Sequence, residues 1–239
     1  KHCTYCVIPK VRGSFRSFPI EYLVNQTKKL VEGGVKEIIL VAQETTLYGV
    51  DLYGKKSLPK LLHNLGLIEG LEWIRILYCY PEEINDELIE AIKNEPKVCH
   101  YLDMPIQHAS DNILKRMGRR TSKQELTDIV AKLRREIPDI ALRTTLITGF
   151  PGETDVDHEE VMQFIDECEF DRLGVFTYSR EEDTVAAQMP DQIDEEIKEK
   201  YRDELMQLQQ EISADRSAAM IGRIVRVMIE GFIPEDNTY

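Results

Sequence analysis

The sequence is poor in the features that mark membrane proteins, disulfide scaffolds and nucleic-acid binders. No apolar run approaches the roughly 18 residues needed to cross a bilayer; a typical long one is Ile38-Ile39-Leu40-Val41-Ala42. No apolar signal segment opens the chain, since Lys1-His2-Cys3 is polar. There are five cysteines in 239 residues, irregularly spaced. That odd count argues against a disulfide framework and for a reducing, cytoplasmic setting. Positive charge is in deficit: 30 Lys+Arg stand against 43 Asp+Glu, a net charge of −13. This opposes a large phosphate-binding surface and suits a basic partner. What the chain does have is a hydrophobic fraction of 42%, enough for a full core, so disorder is excluded. The length fits one large domain, or one domain and part of a second.

Both ends read as interrupted. The pair Cys3-Thr4-Tyr5-Cys6 has no element before it to hold it, and the stretch 229–239 reads as a strand running into a turn. The expectation is the middle of a longer protein, with a first strand and chemically important residues upstream.

Ile20, Leu23, Val24, Thr27, Leu30 and Val31 fall on one helical face, with Pro19 in the first turn and Gly33-Gly34 as the stop. Apolar runs of strand length follow at 37–42, 73–78, 98–102, 141–148 and 173–178, separated by helical stretches near 57–66, 84–94, 110–136 and 155–168. Strand starts recur about every 30 residues, which predicts βα units and a parallel sheet buried on both faces. The fold class is therefore α/β: a barrel or partial barrel, with an open doubly wound sheet as the alternative. In either, chemistry gathers at the C-terminal ends of the strands. Those ends carry Gln43-Glu44-Thr45-Thr46, Cys79-Tyr80-Pro81-Glu82, Asp103-Met104-Pro105-Ile106-Gln107-His108, Gly149-Phe150-Pro151-Gly152-Glu153-Thr154 and Ser179-Arg180-Glu181-Glu182. Beyond a core spanning 1–190, a long amphipathic helix is expected within 191–221, with Ile193, Ile197, Tyr201, Leu205, Leu208 and Ile212 on its apolar face. The alternation from Arg223 to Ile229 predicts a strand opening a small β domain over 222–239.

Cys3 and Cys6 are spaced as two ligands of one soft metal centre, iron–sulfur or zinc. A redox dithiol and no site at all are the alternatives. Redox dithiols usually sit at a helix N-terminus, whereas Val7 to Gly13 reads as a loop. Cys79, Cys99 and Cys168 stand singly and read as small buried hydrophobes.

Cys3-Thr4-Tyr5-Cys6-Val7-Ile8-Pro9 followed by Arg12-Gly13 resembles the last two cysteines of the Cys-x3-Cys-x2-Cys loop of radical S-adenosylmethionine enzymes, in the form found in methylthiotransferases. Further matches run along the chain: Leu40 to Thr45, Tyr101 to Ser110, Thr148 to Thr154 and Phe170 to Ser179. The resemblance covers essentially the whole chain and favours the branch that modifies a ribosomal protein. It implies a partial (βα)6 TIM-like barrel followed by the start of a small β domain of the TRAM type. It also implies a 4Fe–4S cluster on three cysteines, the first two residues before Lys1, leaving one iron open to S-adenosylmethionine. The reduced cluster then yields a 5′-deoxyadenosyl radical, and the cofactor carries the hard chemistry. A second 4Fe–4S cluster is expected in an upstream domain, with a reductant such as flavodoxin. The implied product is a methylthio group on the β-carbon of an aspartate in a basic loop of the twelfth small-subunit ribosomal protein. A tRNA adenosine methylthiotransferase is the alternative within the superfamily. A zinc or dithiol barrel, or a non-catalytic binding module, is the alternative outside it.

Carried onto this chain, the resemblance makes Cys3 and Cys6 metal ligands and sets Tyr5 against the adenine. Gln43, Glu44 and Thr45 stand where the methionine ammonium is held, or form a plain polar turn. Gln107 and His108 face cofactor or substrate, though a structural histidine is an equal reading. Gly149, Phe150 and Gly152 let the backbone approach a nucleoside, or make an ordinary strand-to-helix turn with Glu153 and Thr154. Tyr178 and Arg172 line the mouth or pack. Arg75 reaches inward to a carboxylate or snorkels at the barrel edge.

Overall fold

The structure, a computed structural model, describes residues 3–229 and Gly231. Five parallel strands, β1 (Glu37–Leu40), β2 (Trp73–Ile76), β3 (Val98–Asp103), β4 (Ala141–Thr148) and β5 (Arg172–Thr177), form one sheet in the order β1-β2-β3-β4-β5. The order never reverses. A doubly wound sheet needs a switch point, so the sheet is a partial barrel with helices along one side.

Alternation along the strands makes the two faces differ. Ile38, Ile74, Ile76, Leu102, Leu142 and Leu146 are buried against the helical layer. The alternate set, including Ile39, Arg75, Tyr101, Arg143 and Phe176, lines a concave inner face that is only partly covered. On that face Arg75 Nε donates to Glu37 Oε1 at 2.7 Å and its guanidinium lies 4.8 Å over the Tyr101 ring. Its expected inward reach thus ends on a neighbouring strand's carboxylate.

The helices that return the chain are α2 (Ile20–Glu32), α4 (Leu58–Gly66), α5 (Asp86–Asn94), α7 (Lys123–Glu136) and α8 (Asp155–Cys168). Their starts have local causes. Asn85 accepts Leu88 N at 3.0 Å, and Ser122/Glu125 and Thr154/Asp157 form capping boxes. The stretch 110–136 is two helices rather than one. Gly118, at φ +73°, separates α6 (Asp111–Arg116) from α7. Two short helices escape the periodicity: α1 (Ile8–Arg12), where a loop is expected, and α3 (Val50–Tyr53), set between left-handed Gly49 and Gly54. No described helix is long and apolar enough to cross a membrane.

The long helix α9 (Glu195–Ala218) packs on β5, β4 and α8. Its buried face differs from the expected one. Ile197 is 41% exposed, and Lys198 and Gln209 are buried with Tyr201, Leu205 and Ile212. Lys198 Nζ donates to Tyr178 O at 3.0 Å and pairs with Glu195 at 2.6 Å; Gln209 Nε2 donates to Phe170 O at 2.8 Å. Polar heads with backbone partners can therefore occupy the buried stripe.

No strand forms over 223–229, which is exposed. The alternating side chains find no neighbouring strand among the described residues. Arg226 instead stacks 4.9 Å over Trp73 and pairs with Glu72, bringing this segment back to the start of β2. Glu230 and 232–239, the rest of the expected β domain, lie outside the described residues.

Candidate functional site

The Cys3–Cys6 turn is held from its sides. Cys6 N donates to Cys3 O at 3.1 Å. Thr4 N donates to Met117 O, and Ala186 N donates to Thr4 O, both at 2.9 Å. Thr4 Oγ1 donates to Arg116 O at 2.9 Å. Tyr5 meets Phe150 edge to face with centroids 6.4 Å apart, and Phe150 meets Tyr178 the same way at 5.4 Å. The turn is thus tied to α6, to the 186 turn and to the aromatic wedge after β4. Both thiols are free and half-buried, whereas Cys79 and Cys168 are buried. Burial pushes the Cys79 thiol well up, and the Glu44 and Asp103 carboxylates add to it, so this thiol stays protonated.

A cavity of about 350 Å³ opens beside Cys3, with Tyr80, Glu82 and Arg119 in its wall. That volume suits a small nucleoside ligand. The Arg119 side chain is 1% exposed. Its Nη2 donates to Pro105 O at 3.0 Å and its guanidinium lies 4.4 Å over the Tyr80 ring. Nε and Nη1 are buried without hydrogen-bond partners among the described residues. Two orphaned N–H groups on a buried cation fit an anionic group such as a carboxylate. Burial pushes the Tyr5 and Tyr80 hydroxyls up, so both remain donors. Among the described residues no group of three His, Cys, Asp or Glu could hold a metal ion. Cys3 and Cys6 thus offer two thiolate legs and no third from this set, a donor pair that fits part of a thiolate-bound cluster.

The other expected residues are distributed unevenly around the mouth. Gln43 is exposed at the rim, while Glu44 and Thr45 turn inward. Thr45 donates to Leu77 O at 2.6 Å and Tyr78 O at 3.0 Å, and Glu44 accepts from Thr46 N at 3.1 Å. Gln107 is half-buried at φ +74°, extending β3 by a bridge to Leu146. Such a left-handed non-glycine backbone is strained. His108 is buried: Ser110 N donates to its Nδ1 at 3.0 Å, which leaves the proton on Nε2, 3.3 Å from the buried Glu153 Oε1. Glu153 Oε2 accepts from Phe150 N at 3.0 Å. His108 and Glu153 therefore face each other, without a formed hydrogen bond, between the β3 exit and the β4 exit. Gly149 and Phe150 face protein: a Cβ at Gly149 would lie 2.0 Å from Lys198 Cγ, and Phe150 is fully buried. Tyr178 is buried between Phe150 and Lys198. Arg172 starts β5, at the end of the strand opposite the mouth.

Tyr80 and Asp103 fall in the strand-end stretches, and Tyr78 and Arg143 in strand runs, but the pattern gives no role to them or to Arg119. Asp103, with a side chain 2% exposed, accepts from Arg143 Nη1 at 2.6 Å and from Tyr78 N at 3.2 Å; Tyr78 itself sits at φ +58°. A left-handed aromatic at a strand end is visible only in the backbone.

Residues 1–165 match the radical SAM superfamily. Over 239 residues, all of this chain and 54% of the relative, the sequence is 64% identical to "Ribosomal protein uS12 methylthiotransferase RimO" of Lachnoclostridium phytofermentans. It is 54% identical over 230 residues to a protein of the same name from Clostridium acetobutylicum, covering 96% of this chain and 52% of that one. The chain thus spans about half the length of the curated relatives it matches. Among solved structures it resembles the radical S-adenosylmethionine methyltransferase TsrM of Kitasatospora setae, with a TM-score of 0.60 and 16% identity over 74% of this chain and 34% of that one. It also resembles methylornithine synthase (PylB), with a TM-score of 0.60 and 13% identity over 87% and 59%. These two likenesses carry the fold alone. With the partial barrel, the side-anchored cysteine turn at its mouth and the sequence match over most of its length, the chain belongs to the radical SAM superfamily.

Proposed function

We propose that this chain is the catalytic core of a methylthiotransferase that places a methylthio group on the β-carbon of an aspartate in ribosomal protein uS12. The observation that carries the reading is the Cys3–Cys6 turn, fixed beside a cavity whose wall contains a buried arginine with two unpartnered N–H groups. Cys3 and Cys6 would hold two irons of a 4Fe–4S cluster, with a third cysteine from outside the chain. When bound, the cluster supplies the electron that cleaves the sulfonium of S-adenosylmethionine. Arg119 would take the methionine carboxylate on its orphaned N–H groups, and Glu44, turned inward at the rim, the ammonium. Tyr5 and the half-buried Gln107 would flank the nucleoside, with Gln43 at the outer lip. Thr45, His108, Gly149 and Phe150 would act one step back, by fixing the loops that carry these groups.

The charge supports a protein target. The chain carries −13, and Glu195, Glu196, Glu199, Asp203, Glu211 and Asp215 stand exposed on α9. That surface attracts a basic ribosomal-protein loop and repels tRNA phosphates, so binding should weaken as salt is added. A second 4Fe–4S cluster in an upstream domain and a reductant such as flavodoxin complete the scheme in the cytoplasm.

The test uses the full-length enzyme, anaerobically reconstituted and offered uS12 and tRNA side by side. Methylthiolation of uS12 is expected, with Cys3→Ala and Cys6→Ala each losing the iron and sulfide of one cluster, leaving that of the upstream one, and losing 5′-deoxyadenosine release. Modified tRNA with untouched uS12, or intact iron content in either variant, would overturn the reading.

A further inference from the structure

Resting on that reading, we infer that Arg143, oriented by Asp103 on the inner face of the sheet, grips the carboxylate of the target aspartate and distinguishes it from the corresponding amide. On β4, Leu142, Thr144 and Leu146 are buried under the helical layer, so Arg143, Thr145 and Ile147 line the concave face. Arg143 Nη1 donates to Asp103 Oδ1 at 2.6 Å, on the strand to one side. A Cβ at Gly174, on the strand to the other side, would sit 3.9 Å from Arg143 Nη2. The guanidinium thus lies across the inner face with its side chain 37% exposed. Nη2 has no acceptor among the described residues that would compete with an incoming carboxylate.

The arginine is set before any ligand arrives. Asp103 is buried, and its second oxygen accepts from Tyr78 N at 3.2 Å, so it cannot swing away without releasing the strained end of β2. A fixed guanidinium loses little freedom on binding, and its planar fork matches two carboxylate oxygens. The inner face is also cationic against the acidic whole. Arg75 lies over Tyr101, and Arg143 and Arg172 are close enough to oppose the upward push that burial gives the Tyr101 hydroxyl. Only Glu37 and Asp103 were found paired with these cations on the inner face among the described residues. An acidic side chain that reaches this depth of the inner face meets a local positive field.

The depth fits a target placed beyond the cofactor. Ile147 packs against the aromatic wedge that carries Tyr5. Arg143 lies four residues further down β4, about 13 Å along the strand. A nucleoside-sized molecule has room between the cysteine turn and a carboxylate held at that depth. An asparagine side chain presents one acceptor and one donor to the same fork, leaving N–H facing N–H. The site would therefore reject the amide rather than merely bind it less well.

The test is a cycle on the reconstituted full-length enzyme, using peptides of the target loop that contain either aspartate or asparagine. Wild type is expected to bind the aspartate peptide at least tenfold more tightly. Arg143→Gln should raise KM for the aspartate peptide at least tenfold, leave the affinity for the asparagine peptide within twofold, and so abolish the discrimination. Arg143→Lys keeps the charge without the fork and should fall between. Iron and sulfide content and the thermal midpoint report folding of each variant. Should Arg143→Gln fail to fold, Arg143→Lys and Asp103→Asn carry the test, and unchanged discrimination in both overturns the assignment. If wild type modifies the aspartate peptide and Arg143→Gln does so with the same KM and the same preference, the anchor falls while the proposed function stands. If wild type binds neither peptide but binds a tRNA anticodon stem-loop, the proposed function falls and the anchor with it.

Discussion

Alanine at position 149 should unseat the helix α9 rather than block a ligand. Gly149 sits at φ +68°, where a Cβ costs about 1 kcal/mol. The added Cβ would lie 2.0 Å from Lys198 Cγ, 2.8 Å from its Cβ and 2.9 Å from its Cδ. Lys198 cannot simply turn aside, because its Nζ is held by Tyr178 O and Glu195, and its own carbonyl accepts from Thr148 Oγ1 at 3.3 Å. Relief requires a shift of the first turn of α9, an overpacking cost of about 1–3 kcal/mol. The sum for Gly149→Ala is about 2–4 kcal/mol, a fall in Tm of about 4–16 °C for a chain of this size. Circular dichroism melts of wild type, Gly149→Ala, Lys198→Ala and the double variant give the coupling. Lys198→Ala removes the two longer-stem contacts and should cost about 1–2 kcal/mol alone through its lost hydrogen bonds. In the double variant the losses should fall short of additive by about 1 kcal/mol or more. A melt for Gly149→Ala within about 0.5 kcal/mol of wild type, together with lost affinity for S-adenosylmethionine, would refute this reasoning and restore the ligand-approach role that the motif suggests.

Alkylation of the metal-free protein by iodoacetamide near neutral pH, read by peptide mass spectrometry, should mark Cys3 and Cys6 and spare Cys79 and Cys168; burial pushes the Cys168 thiol up to about 11. Equal labelling of Cys79 would contradict its burial. Glu153→Gln should cost about 1–3 kcal/mol in urea unfolding, because the amide N–H₂ or the lost acceptor would face His108 Nε2–H in a buried pocket; an unchanged urea midpoint would show that the pair contributes nothing. Burial alone would raise the Asp157 carboxyl, but hydrogen bonds from Ser110, Thr154 and Asn112 outweigh it and hold the group below the usual carboxylate range. Its contribution is present above the unfolded value near pH 3.9 and is lost as pH falls through the lower folded value. Asp157→Asn should thus be about 1–2 kcal/mol less stable than wild type at pH 6, the gap closing on acidification below pH ~4; a gap that persists at pH 2 would assign the effect to something other than the charge.

The parallel sheet was legible because its strands read as continuous apolar runs, although only the face under the helices is fully buried, and because α7 and α8 announce their starts with Ser122/Glu125 and Thr154/Asp157. What was not legible depends on distant partners. Ile197 has the better apolar credentials, yet Lys198 takes the buried position because Gly149 vacates the space for its stem. α1 has no buried residue, so no periodicity marks it. The strand expected over 223–229 has the right alternation but no neighbouring strand among the described residues. In the site, the spacing of Cys3 and Cys6 singled out the pair as candidate ligands, and the structure places both thiols half-buried on one turn. Arg119 and Arg143 are single arginines in unremarkable surroundings. Their meaning arises only where the turn after α6 meets the Cys3 cavity and where β4 meets the end of β3.

The Pro/Gly-rich stretch after β4 shows how a motif can brace the cysteine turn through protein contacts alone. Gly149 seats Lys198, and a Cβ at Gly152 would lie 2.6 Å from the Arg116 guanidinium carbon. Arg116 Nε donates to Pro151 O at 2.8 Å, and its carbonyl accepts Thr4 Oγ1 in the cysteine turn. Phe150 carries the Tyr5 ring, and Glu153 takes the Phe150 N–H and faces His108. One short loop therefore connects α9, the β3 exit, α6 and the turn that bears both thiols. A mobile cysteine turn would pay an ordering cost each time a cluster formed on it. Tying it to α6, to the 186 turn and to the wedge after β4 would lower that cost in advance, and the small and buried residues of the loop are what such close convergence requires.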